Sequence, residues 1–243
     1  MDAQLDFRRH EKKYLLTPAQ YETVRARLAP RMTPDCYGES TVLSLYYDTP
    51  DYALVRASLE RPVYKEKLRL RAYGVPGPDD QTFVEIKKKY EGIVYKRRVA
   101  LPLHEARDYL ADRWHPADSQ TVRELDFFQR RYQGLRPAAL LCYDRTALSG
   151  AEDAALRVTF DRNVRGRCVQ LDLARGDWGN PILPPETVLM ELKLPESAPL
   201  WLARLLSEAG VHPAQFSKYG TYYQQALAPQ RRVNIRKDVF TCA

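Results

Sequence analysis

Cysteine and histidine are too few and too scattered to build a metal or disulfide scaffold. The cysteines, Cys36, Cys142, Cys168 and Cys242, include no C-x-x-C pair, so neither a disulfide framework nor a zinc knuckle is expected. They read as reduced thiols of a cytoplasmic protein. His10, His104, His115 and His212 add no zinc spacing and read as surface or structural. No apolar run approaches the roughly 20 residues that cross a bilayer, so any membrane function would have to come from another chain. The opening "MDAQLDFRRHEKKY" is charged throughout and does not read as a signal peptide. There is no Gly/Ser linker and no internal repeat, and 11 Gly and 17 Pro in 243 residues do not suggest low complexity. What remains is a soluble globular composition, 44% hydrophobic and 28% charged, long enough to bury a sizeable core. The formal net charge of +7 favours polyanionic partners: nucleic acid, acidic membrane or phosphate-rich small molecules.

Strict alternation supplies the main signal. In "YKEKLRLRAYG" (64–74), Lys65, Lys67, Arg69 and Arg71 take one side, and Tyr64, Glu66, Leu68, Leu70 and Ala72 the other. This is a β-strand with two unlike faces. On one strand alone, a solvent-facing row of lysines gives the same pattern. The split recurs, however. Arg9, Glu11 and Lys13 share a face, as do Phe83, Glu85, Lys87 and Lys89, then Lys96 and Arg98, then Arg157, Thr159 and Asp161, then Glu191 and Lys193. The opposite faces carry Val84 and Ile86, Val99 and Leu101, Leu156, Val158 and Phe160, and Met190 and Leu192.

Strands are expected over 8–16, 40–50, 64–74, 81–89, 93–101, 138–149, 154–162, 168–173 and 187–195. Helices are expected over 17–30, 51–60, 103–112, 121–132, 198–210 and 216–227. Thr17 and Pro18 form a capped, proline-started helix entrance. The class is α+β, dominated by an antiparallel sheet. One domain is expected over residues 1–227, followed by a basic tail over 228–243. If the sheet closes into a barrel, the charged faces point inward. Buried like charges are costly when nothing balances them. A wet lumen that binds a chain of phosphates accounts for them, since phosphate oxygens accept charge-assisted hydrogen bonds.

In order, "EKKYLL", "LSLYYDT", "KLRLRAYG", "FVEIKKK", "KRRVAL", "YDRTAL", "LRVTFDR", "LMELKL" and "FSKY" resemble the VTC (vacuolar transporter chaperone) domain, the polyphosphate polymerase branch of the triphosphate tunnel metalloenzymes. The resemblance spans residues 8 to 225. It implies a closed antiparallel barrel, the triphosphate tunnel, with flanking helices. It places phosphate-handling basic residues at Lys13, Arg69, Arg71, Lys87, Lys96, Arg98, Arg145, Arg157 and Lys218, with Lys193 joining the substrate set. It places a metal-binding glutamate at Glu191, with Glu11 and Glu85 as further metal candidates and Mn²⁺ or Mg²⁺ as the ion. Arg9 stands where the wider superfamily carries a second carboxylate on the first strand, a departure that favours the polymerase branch.

The implied activity is transfer of the terminal phosphoryl group of ATP to a growing inorganic polyphosphate chain. The alternatives are a tunnel triphosphatase acting on inorganic or nucleoside triphosphate, and a non-catalytic polyphosphate or inositol-phosphate binding module. No nucleic-acid partner is expected. The implied location is the cytoplasm, or the inner face of a membrane through a separate membrane-protein partner.

Overall fold

A computed structural model describes residues 10–194 and 197–229. Arg9 and most of the basic tail expected over 228–243 lie outside the described residues. The strands are β1 (His10–Leu16), β2 (Met32–Asp48), β3 (Tyr64–Tyr73), β4 (Gln81–Tyr90), β5 (Ile93–Pro102), β6 (Arg136–Gly150), β7 (Arg157–Arg167), β8 (Asn180–Pro181) and β9 (Val188–Leu194). The helices are α1 (Pro18–Leu28), α2 (Ala53–Leu59), α3 (Leu103–Leu110), α4 (Gln120–Arg131), α5 (Leu200–Glu208) and α6 (Lys218–Tyr222). All the pairings are antiparallel, in the order β1-β9-β7-β6-β2-β3-β4-β5, with β8 added beside β7. The class is therefore α+β, as the alternation predicts.

The apolar face is convex and carries most of the helices. Tyr21, Val24 and Leu28 of α1 and Leu202 and Leu205 of α5 pack on Leu16, Phe160, Met190 and Leu192. Leu103 and Tyr109 of α3 and Leu125 and Phe128 of α4 pack on Leu43, Leu68, Leu70, Ile86 and Leu140. Each such fully buried side chain contributes about 1.5–3 kcal/mol. Helix α1 starts as its sequence dictates. Thr17 accepts from Gln20 N, and the Gln20 side chain accepts from Thr17 N, which closes a capping box.

The charged face is concave, and the sheet curls until its ends approach: Glu11 on β1 meets Lys87 on β4 at 2.8 Å. The expected closed barrel is nevertheless not formed. Among the described residues no hydrogen-bonded pairing joins β1 to β5. The seam is spanned by long charged side chains, so the strand backbones there need not come within the roughly 4.8 Å of a ladder.

Two further expectations change. Residues 168–173 do not form a strand. The buried Arg167 guanidinium takes the carbonyls of Gln170, Asp172, Gly176 and Trp178, leaving them unavailable to a ladder. Asp172 instead caps a short 3₁₀ turn, Leu173–Arg175. Strand β2 begins at Met32 rather than near residue 40, because a register shift between Pro34 and Glu39 breaks the period of two.

Candidate active site

Register fixes which side chains share the concave face, since directly paired residues point the same way. Arg69 pairs with Glu85 and Tyr46, Arg71 with Ser44, Lys67 with Lys87, and Lys87 with Lys96. Across the sheet Lys13 pairs with Glu191, Glu11 with Lys193, Thr159 with Glu191, and Arg145 with Asp161. All the basic positions expected from the sequence thus fall on this one face, apart from Lys218, which arrives on α6. Lys88 and Arg97 point the other way, as their phase requires, but they are not simply solvated. Both pair with Glu124 of α4, at 3.2 and 3.3 Å.

Two clusters organise the face. In the first, Glu85 is fully buried and receives Arg69 Nε at 2.8 Å and Arg69 Nη2 at 2.7 Å, both on Oε2. Lys96 lies 2.8 Å from its Oε1, and Arg71 3.8 Å from Oε2. Burial alone would raise the Glu85 carboxyl, but Arg69, Arg71 and Lys96 outweigh it and hold it well below the usual carboxylate range. Arg71 also donates to Tyr143 Oη at 3.2 Å and Ser44 Oγ at 3.3 Å.

In the second cluster, Glu191 faces Lys218 at 3.3 Å, Lys13 at 3.5 Å and Arg145 at 3.7 Å. Asp161, also fully buried, accepts Arg145 in a two-point fork at 2.6 and 2.8 Å and contacts Lys218. Despite burial, these cations hold the Asp161 carboxyl below its ordinary range and the Glu191 carboxyl well below it. The Lys218 ammonium sits 4.3 Å from the Tyr143 ring centroid, at cation–π distance.

Helix α6 packs on the concave face. Tyr219, Tyr222 and Tyr223 pack on Val42, Tyr46, Leu141 and Tyr143, all on that face by register. Ser217 caps α6 and its hydroxyl receives Lys67 Nζ at 3.0 Å, while the neighbouring Phe216 carbonyl receives Lys13 Nζ at 3.0 Å.

The remaining expected residues are less tightly grouped. Arg157 pairs with Asp35 at 3.5 Å, next to its register partner Lys193. Arg98 is exposed, its guanidinium 4.6 Å from the Phe83 ring centroid. Glu85 stands in a different cluster from Glu191 and Glu11, so the three expected metal carboxylates do not converge. Among the described residues no three His, Cys, Asp or Glu side chains are grouped to hold an ion. Asp48 accepts from Leu54 N, Val55 N and Tyr219 Oη, and Asp144 from Thr41 and Asn163. Alternation places Asp161 and Lys67 on the charged faces without giving either a role in the site, and Ser217 is passed over. Ser217 carries no such signal.

Burial pushes Lys67 and Lys193 each down to about 8. In an unfolded chain these amines titrate near about 10.4. Between those values the unfolded chain binds more protons, so stability rises with pH. The ligand-free protein is therefore expected to be harder to unfold with urea at about pH 9.5 than at about pH 7.5. A flat or falling profile would contradict this burial.

The VTC domain family model matches residues 8–227. Among solved structures, an adenylate cyclase candidate from Bacillus halodurans aligns with a TM-score of 0.55 and 14% identity over 86% of this chain and 95% of its own. An adenylyl cyclase candidate from Hippeastrum, described as having a dominant triphosphatase activity, aligns with a TM-score of 0.55 and 16% identity, over 89% of this chain and 95% of its own. No curated protein sequence matches. At these identities the structural likeness concerns the fold.

Proposed function

The chain belongs to the VTC domain family, and we propose on that premise that it transfers the terminal phosphoryl group of ATP to a growing inorganic polyphosphate. The observation that carries this reading is the concave face itself. Six sheet strands and α6 bring Lys13, Lys67, Arg69, Arg71, Lys87, Lys96, Arg145, Lys193 and Lys218 to one surface. The buried carboxylates there are each shared among several of these cations. Such a row suits a linear polyanion with a charge on every unit.

The residues fit a divalent ion held jointly with phosphate. Mg²⁺ is ordinarily bound by one or two carboxylates plus substrate phosphates and water, and Glu191 and Glu11 lie on adjacent strands, diagonal in register. A bound Mg²⁺ or Mn²⁺ there would neutralise charge on the transferring group. Glu85 is committed to its three cations, and its proposed role is to position them.

In the proposed reaction a terminal polyphosphate oxygen forms a new bond to the γ-phosphorus of ATP as the bond from that phosphorus to the β–γ bridging oxygen breaks, releasing ADP. Arg69, Arg71 and Lys96 bind the equatorial oxygens, and Lys13, Lys218 and Arg145 orient the acceptor. Positioning and charge stabilisation supply the rate, with no protein nucleophile. Among the described residues no helix is long and apolar enough to cross a membrane.

A second reading, favoured by the triphosphatase described for the Hippeastrum protein, has water as the acceptor. Incubation with ATP and Mn²⁺, with and without a short polyphosphate primer, separates the two. Lengthening chains with ADP release support the polymerase, and free phosphate without chains replaces it with the triphosphatase. Arg69→Ala is expected to weaken tripolyphosphate binding about 10- to 100-fold, the scale of lost charge-assisted contacts. Unchanged affinity by calorimetry would remove Arg69 from the binding set.

A further inference from the structure

The β3 row carries more positive charge than its carboxylate can balance. Glu85 serves Arg69 and Arg71 while also taking Lys96, and Lys67 is bonded to the neutral Ser217 hydroxyl. A tyrosine stands beside this row. Tyr46 on β2 is the register partner of Arg69, its hydroxyl 3.3 Å from Arg69 Nη1. Its ring is stacked on Tyr219 of α6, centroids 4.7 Å apart and planes within 20°.

The groups facing it from each side are unequal in charge. From β3 come Lys67, Arg69 and Arg71, with Glu85 of β4 behind Arg69. From β6 the paired residue is Ala139, and α2 presents Val55. From α6 comes Tyr219, whose hydroxyl is donated to Asp48. Burial favours the neutral phenol, but Arg69, Lys67 and Arg71 outweigh it and bring Tyr46 down to about 7.

We propose that Tyr46 is the proton-exchanging group of this site: when the face holds no phosphate its hydroxyl is ionised and balances Lys67, Arg69 and Arg71, and when a tripolyphosphate or polyphosphate engages those cations it takes back a proton. The step forms one O–H bond with a proton drawn from solvent. It frees Arg69 for phosphate, because a neutral phenol competes for a guanidinium far less than a phenolate does. The inference rests on the polyphosphate reading and adds to it a pH dependence of binding with a named origin. Tyr46 acts through Arg69 and is a positioning residue.

The test is optical. Near-ultraviolet absorbance of the whole chain at about pH 8.5 should show one phenolate, which disappears on saturation with tripolyphosphate. Tyr46→Phe should show none. Above about pH 7, wild-type affinity by calorimetry should fall up to about tenfold per pH unit more steeply than that of Tyr46→Phe. A phenolate that persists in the complex, that is absent from wild type or that survives in Tyr46→Phe overturns the inference while leaving the polyphosphate reading standing. Failure of tripolyphosphate to bind at all overturns both. If Tyr46→Phe does not fold, the wild-type titration with and without tripolyphosphate still decides.

Discussion

Glu85→Ala is expected to lower the unfolding free energy by about 3–5 kcal/mol, the scale of removing one partner from a buried ion-pair network. Glu85 is fully buried, and Arg69, Arg71 and Lys96 converge on it. Without it three cations repel one another on the concave face, with no carboxylate left beside them and only the hydroxyls of Tyr46, Ser44 and Tyr143 as partners. Glu85→Gln should behave similarly, because the charge matters more than the volume. Glu124→Ala is the control. It removes a carboxylate that also serves two cations, Lys88 and Arg97, but on the partly exposed convex side, where about 1 kcal/mol or less is expected. Tripolyphosphate should restore much of the loss in Glu85→Ala, since a ligand bound only by the folded state stabilises it by mass action. Urea unfolding with and without tripolyphosphate measures each quantity. Equal stability of the two alanine variants would show that Glu85 does not anchor the row.

Glu191→Gln is expected to abolish turnover, a loss of about 10³-fold or more, while keeping tripolyphosphate binding measurable. The proposed ion depends on this carboxylate. Its removal also releases Lys13, Arg145 and Lys218 from a shared counter-charge, so metal-free binding of tripolyphosphate should be equal to or tighter than that of wild type. Turnover and metal-free binding therefore move in opposite directions, a split that general unfolding cannot imitate. A wild-type rate in the presence of Mn²⁺ would show that Glu191 is not a metal ligand.

Much of this site was legible because β-alternation is local. Whether Lys65, Lys67, Arg69 and Arg71 share a face depends on the backbone geometry of one short stretch, and the structure places them together. The same holds for Glu11 with Lys13 and for Glu191 with Lys193. Where local order breaks, the reading broke too. The register shift after Pro34 hid the first part of β2. The apparent alternation in "CVQLDL" was overridden by Arg167, whose demand for carbonyls is visible only once the loop has folded around it.

Pairings between distant strands were not legible at all. That Lys87 meets Glu11 depends on how far the sheet curls. That Asp161 also engages Lys218 depends on where α6 enters. That Glu85 stands apart from Glu191 depends on five intervening pairings.

The sequence by itself determined the α+β class, the two-faced strands, the sign of the concave surface and nearly every cation on it. The class, the faces and the sign follow from a period of two and from the cost of burying unbalanced charge, while Arg145 and Lys218 were implied by the family resemblance. The tertiary structure alone decided that the sheet curls without closing its hydrogen-bond ladder, that the α6 tyrosines pack on its concave face, and which carboxylate balances which cations. Those outcomes depend on sheet curvature and on contacts between residues up to 203 positions apart, which no local pattern encodes.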